Sequence, residues 1–168
     1  TFILYKPIAS GDDVAVKAIL NFLRRVYYIV GSVIFVIGCV LLPFLPYLIA
    51  GDVPSNVNIY ILFGIYLFNA VISYFLFAYK NTLFSAMQRV DVVNNVYIVL
   101  NIGIKLAQII LLLTLKNYYV YTIITPIGTI ANNLLIQLLS KKYYSHLFPQ
   151  GNISAETKAE VIKQVKRS

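Results

Sequence analysis

One lysine stands in the middle of an otherwise apolar run. Residues 94–116 read NNVYIVLNIGIKLAQIILLLTLK, with Lys105 near the centre. A helix of about 20 apolar residues, rising about 1.5 Å per residue, crosses the hydrocarbon of a bilayer, and Lys105 then lies too deep for its ammonium to reach either surface. Asn94, Asn101 and Gln108 recur every seven positions, and Lys105 falls four after Asn101 and three before Gln108. Helical geometry gathers these four on one face and leaves Ile98, Ile102, Ile109, Leu112 and Leu113 on the opposite one. A cation among amides supports two kinds of chemistry. As interhelical glue, Lys105 pairs with a polar group on a neighbouring helix and fixes packing. As part of a water-filled cavity, Lys105, flanked by Asn101 and Gln108, binds something anionic.

Two other apolar runs carry weaker polar faces. In 57–79, Tyr66, Asn69 and Ser73 lie three and four apart. In 120–140, Thr125, Thr129, Asn132 or Asn133, and Ser140 make a third stripe, and Pro126 is placed to bend it. An asparagine in such a span serves as packing glue or as a ligand. Lys105, Asn101, Gln108, Asn69 and Asn132 are the candidate substrate-binding residues. No catalytic or metal-ligating set accompanies them. There is no P-loop, CxxC or HExxH, His146 is the only histidine, and no acid lies deep in an apolar run, Asp52 and Asp91 being at the margins. That pattern disfavours an ATPase, an intramembrane enzyme, a proton or sodium relay within these helices, and a carrier of organic cations, which needs a buried carboxylate. No cofactor is implied.

These stripes have to be positioned by membrane helices. Of the 168 residues 60% are hydrophobic and 12% charged, and the mean hydropathy is +0.78. This composition is that of an all-α, polytopic membrane helix bundle in the cell membrane. Four transmembrane spans are expected at about 26–49, 57–79, 94–115 and 120–140. A cytoplasmic lead-in and amphipathic helix (1–25) precede them and a basic tail or linker (141–168) follows. Asp12 and Asp13 suit a helix start, and Val16, Ile19, Leu20 and Leu23 face one side with Lys17, Asn21 and Arg24 on the other. Gly31 and Gly38 allow a neighbour close, Pro43 and Pro46 kink the end of the first span, 51–56 is a turn, and 80–91 is a loop or half-turn. Cys39 is a lone packing residue. The tail from Ser154 reads as a basic amphipathic helix or as a solvated linker.

Charge fixes the orientation. Lys6, Lys17, Arg24, Arg25, Lys80, Arg89, Lys141, Lys142 and the four basic residues of 158–167 share one side, against Lys116 alone on the other. The positive-inside rule places that side, and both ends, in the cytoplasm. The net charge of +8 then reflects topology and anionic membrane lipid, and nucleic acid is not a partner. The chain starts on Thr1 without the pattern of a signal peptide, so a longer protein is expected.

In order along the chain, LYKP (4–7), NFLRRVYYIVG (21–31), LLPFLPYLI (41–49), FAYKNTLFSAMQ (77–88), NIGIKLAQIILLLTLKNYYVY (101–121) and the pair Asn132–Asn133 resemble the Wzx-type polysaccharide flippases of the multidrug/oligosaccharidyl-lipid/polysaccharide exporter superfamily. The resemblance covers residues 1 to about 150. It implies a transporter with two lobes around a cationic cavity, of which these spans are the third to sixth helices of the first lobe, with the rest of the transporter chain as a partner. It further implies a lipid-linked (undecaprenyl-pyrophosphate) oligosaccharide substrate, moved across the membrane by alternating access for cell-surface polysaccharide biosynthesis. Alternatives are another transporter of the superfamily, exporting a peptidoglycan precursor or a drug, and a non-transport membrane scaffold.

Overall fold

The computed structural model of the chain describes residues 2–49 and 57–153. The turn expected within 51–56 and the tail expected at 154–168 lie outside the described residues. Those described form helices and no strand.

The first helix, α1 (Phe2–Ala9), occupies the expected lead-in and includes Pro7. The second, α2 (Asp13–Leu41), begins where the Asp12 carboxylate accepts a 2.9 Å hydrogen bond from the Ala15 amide. This satisfies one of the free donors of the first turn. No proline interrupts the run before Pro43, so the amphipathic stretch and the first expected span as far as Leu41 are one continuous helix of 29 residues. Pro43, which has no amide hydrogen, ends it. The chain passes through a 3-10 turn (Leu42–Phe44) into the short α3 (Leu45–Leu48). The next helix, α4 (Ile59–Phe75), is capped by the Asn58 side chain. It stops four residues short of the expected limit, because Phe77 takes a left-handed conformation with φ 53°. The axis there turns by 48° into α5 (Tyr79–Ala86).

That fifth helix stands where a loop was expected. Tyr79, Leu83 and Ala86 are buried along one of its faces, a spacing of four and three residues that a helix brings into line. After Arg89 the chain enters α6 (Val90–Leu115), which carries the Lys105 stripe and starts four residues before the expected bound. Lys116 closes it in a left-handed conformation. The last helix, α7 (Tyr118–Tyr143), is capped by Asn117 and contains Pro126.

The segments Asp13–Leu48, Val90–Leu115 and Tyr118–Tyr143 are long and apolar enough to cross a membrane, whereas α4 qualifies only together with α5 as a bent pair. The chain therefore has the character of a membrane protein. In space α4 packs between α2 and α7, and α6 lies on the far side of α7, giving the order α2–α4–α7–α6. Gly38 and Gly31 sit at the α2–α4 seam. A Cβ at Gly38 would stand 2.3 Å from Leu67 Cδ1, and one at Gly31 would stand 3.2 Å from Tyr74 Cβ. The long apolar side chains of α2 and α6 that face away from these seams are exposed, as hydrocarbon-facing residues are.

A compact apolar core closes one end of the row. Leu4 of α1, Val16, Ile19 and Leu20 of α2, Tyr79, Leu83 and Ala86 of α5, and Leu147 just after α7 are buried together. Residues 147–153 then run back over α2. The Asn21 side chain donates to the Gly151 carbonyl (2.7 Å), the Gln150 amide donates to the Lys17 carbonyl (3.3 Å), and the Arg25 guanidinium donates to Asn152 Oδ1 (3.3 Å). Lys17 also lies over the Phe148 ring. The start of α2 and the chain beyond α7 are thus fastened together.

A candidate cationic cavity between α6 and α7

The polar stripes of α6 and α7 face each other across a cavity of about 510 Å³. From α6 it takes Asn94, Tyr97, Asn101, Ile104 and Lys105; from α7 it takes Thr125, Gly128, Thr129, Asn132 and Asn133; Ser73 of α4 and Asn81 of α5 complete its polar lining. Lys105 is the one charged side chain among these, and no carboxylate faces it. A second cavity of about 380 Å³ between α4 and α7 is lined by Ile61, Ile65, Phe68, Ile123, Ile127 and Ile130 and carries no polar side chain. Only the first has groups able to orient a polar ligand.

The five candidate residues divide into two roles. Lys105, Asn101 and Asn132 line the cavity. Gln108 is 1% exposed, and its amide is committed to packing. Its Nε2 donates to the Tyr121 carbonyl and to Thr125 Oγ1, both at 3.1 Å, so it bolts α6 to α7. Its Oε1 accepts from the Lys105 ammonium at 3.1 Å, which anchors the base of the lysine head. Asn69 is likewise engaged, accepting from Thr129 Oγ1 at 2.7 Å across the α4–α7 seam. Such bonds between membrane helices are worth about 0.6 kcal/mol and up to about 1.7. Gln108 and Asn69 thus bond between helices, and the other three line the cavity.

Within the cavity wall the amides differ in freedom. Asn101 Nδ2 donates back to the Tyr97 carbonyl, 2.9 Å away on its own helix. By contrast, the side-chain oxygens of Asn81 and Asn132 are buried with no hydrogen-bond partner. An unsatisfied buried acceptor costs roughly 1–3 kcal/mol. Asn81 lies in the segment expected as a loop. The signal that could have revealed it is the helical burial pattern of Tyr79, Leu83 and Ala86, which fixes α5 and turns Asn81 toward the cavity.

Gly128 shapes the cavity as well. A Cβ there would come within 2.1 Å of Ile104 Cδ1; the missing side chain admits Ile104 and lets α6 and α7 approach. No cluster of His, Cys, Asp or Glu suited to a metal ion occurs among the described residues. Comparison with protein-family models, with curated proteins and with solved structures finds no significant match.

Proposed function

We propose that this chain is part of a membrane flippase, a transporter and not an enzyme, that carries a lipid-linked oligosaccharide across the cell membrane by alternating access. The observation that carries this reading is the cavity of α6 and α7. It has one ammonium, several amides and hydroxyls, and no acid. A cation in such a lining attracts negative charge, and an anionic pyrophosphate or phosphate headgroup is the ligand it favours. Amides and hydroxyls suit the sugars attached to that headgroup. A carrier of organic cations is less well supported, because the lining offers it no carboxylate.

A four-span arrangement fits the same reading. The start of α2 and the residues after α7 meet in one core and hydrogen-bond to each other, so they lie on one side of any bilayer. That favours an even number of crossings, and in this reading α4 joins α2, α6 and α7 as the fourth. Its 17 residues reach about 25 Å. Basic residues crowd that end, which the positive-inside rule assigns to the cytoplasm.

The test is flipping of a fluorescent undecaprenyl-pyrophosphate sugar by the protein in vesicles, with abundance measured in parallel. Lys105→Ala is expected to abolish flipping at normal abundance, and Lys105→Arg to retain part of it, since charge persists while geometry changes. Wild-type flipping by Lys105→Ala would remove the reading.

A further inference from the structure

We propose that the apolar cavity between α4 and α7 is a lipid site, holding a hydrocarbon chain of a bilayer phospholipid from the leaflet opposite the basic end of the bundle. Its walls run from Ile61 to Phe68 on α4 and from Ile123 to Ile130 on α7. Seven residues of helix on each side make a groove about 10 Å long. Ile61, Phe68, Ile123 and Ile127 are exposed at its rim, whereas Ile65 and Ile130 are half-buried and Pro126 is buried. The rim belongs to the exposed apolar surface of these membrane helices, and hydrocarbon is what reaches it. Gly64 keeps the groove open. A Cβ at Gly31, Gly38 or Gly128 would crowd a neighbouring side chain, but one at Gly64 would meet nothing within 4 Å. Glycine weakens a helix relative to alanine, and no packed neighbour accounts for it here. Gly103 is equally open but lines neither cavity. The bare backbone at Gly64 widens the groove by one side chain, and an empty groove forfeits the dispersion contacts that a lipid chain supplies.

The two cavities lie on opposite sides of α7. Thr125, Thr129 and Asn132 line the one that holds Lys105, and Ile123, Ile127 and Ile130 line the groove. At about 3.6 residues per turn these two sets fall on nearly opposite faces. The hydrogen bond from Thr129 to Asn69 closes the α4–α7 seam between them. A ligand whose headgroup meets Lys105 cannot pass its tail through that seam, so the chain in the groove belongs to a second molecule, and the site does not depend on the flippase reading. Its depth follows from the helices. Ile61 is the third residue of α4 and Ile123 the sixth of α7, and both helices start at the end away from the core that joins α1, α5 and Leu147. The groove therefore lies in the half of the bilayer remote from the basic residues. A chain lying there touches both helices and braces the seam by van der Waals packing.

The experiment incubates the full chain in detergent with equimolar phosphatidylcholine carrying a photoreactive diazirine in one acyl chain, irradiates it, and maps the adducts by mass spectrometry. Scarce lipid selects the tightest site. Adducts are expected to concentrate on the walls of the groove, in excess over Val36 and Val40, which are exposed near the far end of α2 in the same half of the bilayer. Gly64→Phe fills the groove and is expected to remove that excess while leaving the α2 adducts unchanged. Where that variant fails to fold, Ile127→Phe narrows the groove from the other wall and carries the test. Adducts spread evenly over both surfaces, or an excess that survives the filling, would overturn the site. Adducts on α2 with none in the groove would overturn it as well and assign the groove to another helix of a longer protein. A diazirine-bearing polyprenyl phosphate run in parallel separates the two sources of a chain. If it displaces phosphatidylcholine from the groove in the wild type but not in Lys105→Ala, the chain is the ligand's own and the phospholipid assignment falls. Each of these outcomes leaves the flipping test of Lys105→Ala standing.

Discussion

Gln108 and Asn101 sit one above the other on the same stripe, yet the structure gives them opposite consequences. Gln108 is buried and donates twice to α7, while Asn101 donates its Nδ2 to the Tyr97 carbonyl of its own helix. Gln108→Leu should therefore loosen the α6–α7 seam and lower stability by roughly 1–3 kcal/mol, since Lys105 also loses its acceptor. Asn101→Ala should stay within about 0.5 kcal/mol. Thermal unfolding of both variants in detergent checks the contrast. Spacing alone made the stripe legible, because a period near seven puts residues on one face whatever they do there. It could not tell a spent amide from a free one, since that depends on Tyr121 and Thr125, which reach Gln108 from another helix. Asn69 is the same case, its partner Thr129 being 60 residues away.

At the level of the element, apolar length located the long helices, but not all of their ends. Pro43, expected to kink the first span, ends α2 instead, and the Asn58 and Asn117 caps of α4 and α7 were not foreseen. The boundary between α4 and α5 was not legible. It rests on a left-handed Phe77, and phenylalanine announces no such conformation. The glycines are the other element-scale device. Gly128 admits Ile104 between α6 and α7. Gly128→Ala should push the Ile104 side chain into the cavity and destabilise the pair by about 1–3 kcal/mol. Ile104→Ala in the same chain should recover much of that loss, because the overcrowded atoms are gone. A double-mutant cycle on melting temperature reads this coupling, and strictly additive effects would contradict it.

Across the whole molecule, the fastening of 147–153 to α2 was invisible beforehand. Lys17 and Asn21 read as the polar side of an amphipathic helix, and only the returning chain, 130 residues later in the case of Gly151 and Asn21, shows what they hold. Asn21→Leu should free that segment, and limited proteolysis should then cut within 147–153 faster than in the wild type while the membrane helices stay intact. Charge is the other global property. Among the described basic side chains, Lys105 alone lines the cavity, with no acid in the lining. Electroneutrality at such a place is supplied by mobile ions, so loading the cavity with an anionic ligand is an ion exchange in which a small counter-anion leaves as the ligand enters. Apparent affinity should fall by up to about tenfold for each tenfold rise in chloride, as simple competition dictates, and Lys105→Gln should flatten that dependence. Under the proposed function, chloride would throttle transport, acting through a lysine that has no partner of opposite sign among the described residues.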